Sequence, residues 1–462
     1  MTQNFVSSDK IRSDFSAAMS AMYRDEVPAY GTLMDLVAEV NAGVLGKDPE
    51  LKARLTETDN LDRISEERHG AIRLGTPNEL ATMRRVYAVM GMFPVGYYDL
   101  SEAGVPVHST AFRPVGAEAL SQNPFRVFTS LLRLDLIKDE ALRAEAEEVL
   151  NARQIFTPRA LELTAKAEAE GGLTEAEGQE FVKEVLETFR WHDRANVSAS
   201  LYHRLHDAHR LIADVVSFKG PHINHLTPRT LDIDAVQELM PSRGIAPKAV
   251  VEGPPTRKCA ILLRQTSFKA LEESVSFLEN GEWVAGSHTA RFGEIEQRGI
   301  AVTPKGRALY DELLNKTRAK VRPAADGSNT AEYVAALEET FAAFPDTWEE
   351  IRAQGLGYFA YSLTAEGRAN PKAVASIEEA IAAGLVIADP IVYEDFLPVS
   401  AAGIFQSNLG DGAQQDFVAS PNQVRFEADL GAKVLNEFDH YEGIEAASKA
   451  ACLEALAKAV AA

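Results

Sequence analysis

Three short stretches hold the side chains best suited to metal or acid–base chemistry. They are Glu67-Arg68-His69-Gly70-Ala71-Ile72-Arg73, His222-Ile223-Asn224-His225, and the run from Gly286 to Gly299 that contains His288, Glu294 and Glu296. The third reads as a strand end, a turn at Gly286 and a second strand through residues 292–297. Alternation along that strand puts Phe292, Glu294 and Glu296 on one face. A carboxylate on a buried face needs a cation, a hydrogen-bond donor or a proton. A metal held by two histidines and one carboxylate is one solution, and it leaves coordination positions open for a substrate. His69, His225 and Glu294 could supply those ligands. His222 and His288 are rivals to His225, and Glu296 to Glu294; spacing does not choose between them.

Arg73 stands four residues after His69, so the two side chains share a face in either a strand or a helix. Beside a metal, its planar fork would pair with a substrate carboxylate, no counter-ion for it being evident among the candidate ligands. The commoner use of an Arg is a structural ion pair. His203, His206 and His209 follow one another at spacing three, drift round a helix, and read as a polar face.

Other chemistries lack their motifs. Neither a Gly-x-Gly-x-x-Gly nor a P-loop pattern is present, and no serine sits in Gly-x-Ser-x-Gly. A formal charge of −21 excludes nucleic acid and anionic membrane as partners but permits an anionic substrate held by a local Arg. Two cysteines, Cys259 and Cys452, make no disulfide framework and point to a reducing compartment. The first residues show no secretory leader pattern, and no run approaches the roughly 20 apolar residues a membrane helix needs. The expectation is a soluble cytoplasmic protein.

At 462 residues and 46% hydrophobic, the chain has ample material for a core. Residues 1–60 carry helical spacing. Residues 61–137 read as strand, helix and then several strands, the helix opening at Thr76-Pro77-Asn78-Glu79. Residues 138–212 return to helix. Residues 216–300 repeat the earlier order: a strand over 216–225, a helix opening at Thr227-Pro228, then strands at 248–252, 258–265, 281–287 and 291–297. The two Thr-Pro starts, each after a histidine, mark a weak internal duplication. Residues 301–462 are mostly helical, with a small-residue apolar loop at 394–408 suited to closing over a ligand. No low-complexity linker separates these blocks, so one compact α+β unit is expected.

The segment Phe292-Gly293-Glu294-Ile295-Glu296-Gln297-Arg298 is similar to the iron-binding strand of the 4-hydroxyphenylpyruvate dioxygenases, members of the vicinal-oxygen-chelate superfamily. In that strand the first Glu is the iron ligand, which maps to Glu294 and demotes Glu296. A closer resemblance covers nearly the whole chain. Glu67 to Pro77, His222 to Pro228, Arg264-Gln265-Thr266-Ser267-Phe268 and Phe396 to Phe405 resemble the 2-oxoadipate dioxygenase/decarboxylases, the bacterial 2-hydroxyglutarate synthases of lysine catabolism. The resemblance implies two βαβββ modules in a curved half-barrel sheet surrounded by helices. It implies Fe(II) on His69, His225 and Glu294, Arg73 on the substrate, and a further substrate contact near Val399 or Ser400. The reaction implied consumes O2 and 2-oxoadipate and gives 2-hydroxyglutarate and CO2. A dioxygenase acting on another 2-oxo acid or a catechol, and a metal-free binding protein on the same fold, are the alternatives.

Overall fold

The computed structural model describes residues 4–57, 61–324, 327–397 and 421–461. The chain packs as two compact units where the sequence led us to expect one. The first takes in the chain up to Val251, Gln265–Gln297 and Phe396–Val434; the second takes in Glu252–Arg264, Arg298–Asp395 and Leu435–Ala462. Every described candidate residue belongs to the first.

That unit is built on a five-stranded sheet of β1 (Arg68–Leu74), β2 (Phe93–Asp99), β3 (Val107–Arg113), β4 (Arg126–Leu132) and β5 (His225–Pro228), in the order β2-β3-β4-β1-β5. β1 runs parallel to β4, with His69 opposite Arg126, and antiparallel to β5, with His69 opposite Thr227 and Ala71 opposite His225. The helix Pro77–Val89 separates β1 from β2, so residues 61–137 do form strand, helix and three strands. Its start is fixed locally. Thr76 accepts from the amide of Glu79, the Glu79 carboxylate accepts from the amide of Thr76, and Pro77 occupies the first turn.

Strand alternation divides β1 between two cores. Ile72 and Leu74 join a core with Leu80, Met83, Val86 and Tyr87 of that helix and with Phe15, Met19 and Tyr23 of the helix Ser8–Glu26. Ala71 faces the other way, into a core with Phe128 and Phe396. His69 and Arg73 share the Ala71 side by the same alternation.

The second copy departs from expectation. Residues 216–225 are not one strand: the helix Arg210–Ser217 runs into them, Gly220-Pro221 breaks the chain, and β5 spans only His225–Pro228. Thr227-Pro228 starts no helix. The helix Ile233–Leu239 begins later, capped by Asp232, because Thr227 and Pro228 are taken up in pairing with β1. No strand forms at 248–252. β6 (Leu263–Ser267) pairs with β9 (Glu294–Arg298), while β7 (Glu272–Glu279) and β8 (Glu282–Thr289) form a separate hairpin. Its turn lies at Asn280-Gly281, both with positive φ, and not at Gly286, which sits inside β8. β1 runs parallel to β4, and Arg229, just past β5, forms a parallel bridge to Glu296 of β9, where the Thr230 amide donates to the Glu296 carbonyl at 2.8 Å.

The second unit is mostly helical, with long helices at Pro304–Lys320 and Glu437–Ala461 and one antiparallel pair, β10 (Phe359–Leu363) and β11 (Val386–Pro390). Among the described residues no helix is long and apolar enough to cross a membrane.

Candidate metal centre

β1, β5 and β9 each deliver one side chain to a common point. His69, His225 and Glu294 are fully buried, and their donor atoms lie within 4.8 Å of one another. His69 Nε2 is 3.1 Å and His225 Nδ1 3.4 Å from Glu294 Oε2. The β1–β5 register brings the two histidines together, and it needs Gly70. A Cβ there would stand 2.6 Å from Ile223 Cδ1 and 3.0 Å from the His225 carbonyl oxygen.

Neighbouring groups hold the three in place. Glu294 Oε2 accepts from Thr227 Oγ1 at 3.1 Å and from Gln265 Nε2 at 3.3 Å. His225 Nδ1 is 3.0 Å from Thr227 Oγ1, and its ring stacks on Phe292 with centroids 4.9 Å apart. Phe292 is fixed in turn by Tyr23, whose hydroxyl donates to the Phe292 carbonyl at 2.7 Å. Phe396 sets its edge against His69, centroids 4.9 Å apart.

Glu296 stands behind His69. Its Oε2 is 2.9 Å from His69 Nδ1, which leaves Nε2 facing Glu294. Glu296 Oε1 is 3.8 Å from Arg126, and Arg126 donates to Glu67 at 2.6 Å, as Arg229 does at 2.8 Å. Burial opposes a positive charge on His69, but the carboxylates of Glu296 and Glu294 outweigh it and raise its pKa above the ordinary histidine value. Two carboxylates and two imidazoles thus crowd one buried cluster. Among the described residues, Glu294 Oε1 is buried there without a hydrogen-bond partner. An acceptor in that position calls for a cation, and the nitrogen and oxygen donors suit a divalent first-row metal.

The rivals converge elsewhere. His222 and His288 meet at Asp214, a second buried group of possible metal-binding donors. His288 Nε2 is 2.9 Å and His222 Nε2 3.2 Å from Asp214 Oδ1. Asp214 is also the protein counter-ion of Arg73, which donates from Nη1 to Oδ2 at 2.7 Å. No such counter-ion for Arg73 was evident in the sequence. Val399 and Ser400 lie outside the described residues. His203 and His206 are exposed on the helix Ala199–Ala208, as a polar face should be, while His209 ends that helix and caps the next.

Sequence reasoning missed Thr227, Asp214 and the role of Gln265. Thr227 could have been found two residues from His225, on the same face of a strand. Asp214 has no local signal, because its partner Arg73 is 141 positions away.

Two histidines and a carboxylate from three strands, packed with aromatic rings and backed by a second carboxylate, form a group that could hold one metal ion, with the donor types that non-haem oxygenases use. The family model for 2-oxoadipate dioxygenase/decarboxylase matches residues 15–408. The 2-oxoadipate dioxygenase/decarboxylase of Pseudomonas putida is 58% identical over 456 residues, 98% of each chain. That of Escherichia coli is 56% identical over 452 residues, 97% of this chain and 99% of the other. The crystal structure of the Pseudomonas putida hydroxyglutarate synthase in complex with 2-oxoadipate superposes with a TM-score of 0.91 at 56% identity, covering 98% of this chain and all of that one. The chain belongs to the 2-oxoadipate dioxygenase/decarboxylase family.

Proposed function

We propose that this protein is an Fe(II) enzyme that converts 2-oxoadipate and O2 into 2-hydroxyglutarate and CO2, with His69, His225 and Glu294 as the metal ligands. The observation that carries this reading is the convergence of those three buried side chains, with Glu294 Oε1 lacking a hydrogen-bond partner among the described residues. The reaction balances without a further reductant: C1 leaves as CO2, one oxygen atom enters the new carboxylate at the former C2, and the other becomes the hydroxyl on the former C3. Bound Fe(II) supplies the electron transfers that let O2 react with a closed-shell acid.

The chain's own residues supply position and exclusion. Arg73 holds the distal carboxylate of the substrate, its side chain on the same face of β1 as His69. Four residues of strand place their Cα atoms about 13 Å apart, a span that an extended six-carbon diacid and an arginine side chain can bridge. Fixing both ends of the substrate determines which carbon faces the reacting oxygen. Phe292 and Phe396 line the histidines and keep the site dry. Glu296 orients His69, and Thr227 and Gln265 orient Glu294. Both cysteines are buried and neither is in a disulfide, in keeping with a cytoplasmic protein.

The test is Arg73→Lys, which keeps a charge but loses the planar fork. The variant should retain iron and lose more than tenfold in kcat/KM for 2-oxoadipate, since a charge-assisted hydrogen bond contributes about 1.5–3 kcal/mol. Turnover of 2-oxohexanoate, which has no distal carboxylate, should change far less. Equal loss on both substrates with iron retained removes Arg73 from the substrate site.

A further inference from the structure

Arg73 sits at the end of a chain of buried polar groups that the metal site does not use. Asp214 accepts from Arg73 on Oδ2, and on Oδ1 it faces Nε2 of both His288 and His222. His288 Nδ1 is bonded to the Tyr202 hydroxyl at 2.8 Å. Trp191 and Phe218 wall the cluster, with ring centroids 4.7 Å from His222 and 4.7 Å from His288 respectively. Asp214, His222 and His288 are at most 5% exposed. The polar parts come from five places in the chain: β1, the helix Ala199–Ala208, the helix Arg210–Ser217, the segment before β5, and β8.

A buried ion pair of this kind contributes little net stability, because desolvation offsets the attraction; its best-attested use is to specify geometry. Geometry is what Arg73 lacks on its own. The sheet fixes its Cα, but a free arginine side chain carries about 2 kcal/mol of rotamer entropy that substrate binding would have to overcome. Asp214 removes that freedom beforehand, and the two histidines keep Asp214 from turning away. Tyr202, bonded to His288 Nδ1, leaves Nε2 directed at Asp214. A dication on this cluster would have to share Asp214 with the Arg73 guanidinium, so the same contacts weigh against a second metal.

We infer that Asp214 is the positioning residue of the substrate-binding arginine, and that the Asp214–His222–His288 cluster sets the preference for a dicarboxylic over a monocarboxylic 2-oxo acid. This rests on Arg73 reading the distal carboxylate, as proposed above.

The experiment compares kcat and KM for 2-oxoadipate and 2-oxohexanoate in the iron-loaded full-length wild type, Asp214→Asn, His288→Asn and Arg73→Lys, with iron content measured for each. Asp214→Asn should raise KM for 2-oxoadipate and lower its kcat/KM by tenfold to a hundredfold, while kcat/KM for 2-oxohexanoate stays within threefold. The ratio of the two therefore collapses. His288→Asn keeps the charge on Asp214 and removes one of its supports; it should lower the ratio at least threefold, and it carries the test if Asp214→Asn does not fold. The Asp214→Asn and Arg73→Lys effects should not add in the double variant, since both act through one guanidinium. A purely structural pair would depress both substrates alike, and that result overturns the inference. A second equivalent of iron in the wild type that is lost in His288→Asn also overturns it. If Arg73→Lys itself leaves the ratio unchanged, the reading of Arg73 has failed; if Arg73→Lys collapses the ratio and both cluster variants leave it intact, only the role of Asp214 has failed.

Discussion

Glu294 and Glu296 are two residues apart on one strand face, both fully buried, yet the structure gives them different work. Glu294 turns Oε2 toward both histidines and, among the described residues, leaves Oε1 without a hydrogen-bond partner; Glu296 stands 2.9 Å from the far nitrogen of His69. Substituting each with Gln separates the two roles. Glu296→Gln keeps the shape and an oxygen beside Nδ1 but removes the charge that polarises the imidazole. Loss of such an outer partner typically costs 10- to 100-fold in metal affinity, or about 1.4–2.7 kcal/mol. The fold should survive, because Arg126 keeps its 2.6 Å contact with Glu67. Glu294→Gln removes an anionic ligand and should abolish stoichiometric metal retention. The assay is a competitive Fe(II) or Co(II) titration of metal-free protein, with thermal midpoints recorded for the apo forms. Wild type, Glu296→Gln and Glu294→Gln should fall in that order of affinity, with the middle one binding a full equivalent. Stoichiometric binding by Glu294→Gln together with none by Glu296→Gln would refute the assignment and exchange the two glutamates.

The remaining predictions concern the frame around the site. Gly70→Ala forces a methyl group onto Ile223 and the His225 carbonyl, so it should separate β5 from β1; metal affinity should drop at least tenfold, and a wild-type titration curve would show the register to be tolerant. His108 is held neutral: burial, and next Arg133, push its pKa down to about 4 from 6.5. The unfolded chain therefore binds a proton that the folded one does not, so this contribution is complete above pH 6.5 and is lost as pH falls toward 4, by about 3 kcal/mol in all. Thermal midpoints of wild type and His108→Gln should converge over that window, and a constant gap would show that His108 is not the group responsible.

Local signals in the sequence carried far, and their failures have physical causes. Thr76-Pro77-Asn78-Glu79 is legible because the cap, the proline and the returning glutamate are all within one turn. Thr227-Pro228 carries half of that signal, and tertiary pairing overrides it. Pro228 ends a strand at the sheet's margin opposite Arg68, and the Thr227 hydroxyl is committed to Glu294. The candidate ligands were legible as alternatives: alternation puts Glu294 and Glu296 on one face, but only the position of His69 tells which lies at Nε2 and which at Nδ1. Asp214 was invisible because a buried aspartate in an amphipathic helix looks like a solvent-facing one until Arg73, His222 and His288 close on it.

A crystal of iron-loaded protein measured on both sides of the iron absorption edge would locate the metal. One anomalous peak is expected, about 2.0–2.2 Å from a nitrogen of His69, a nitrogen of His225 and an oxygen of Glu294. A peak between Asp214, His222 and His288, with none at Glu294, would contradict that placement.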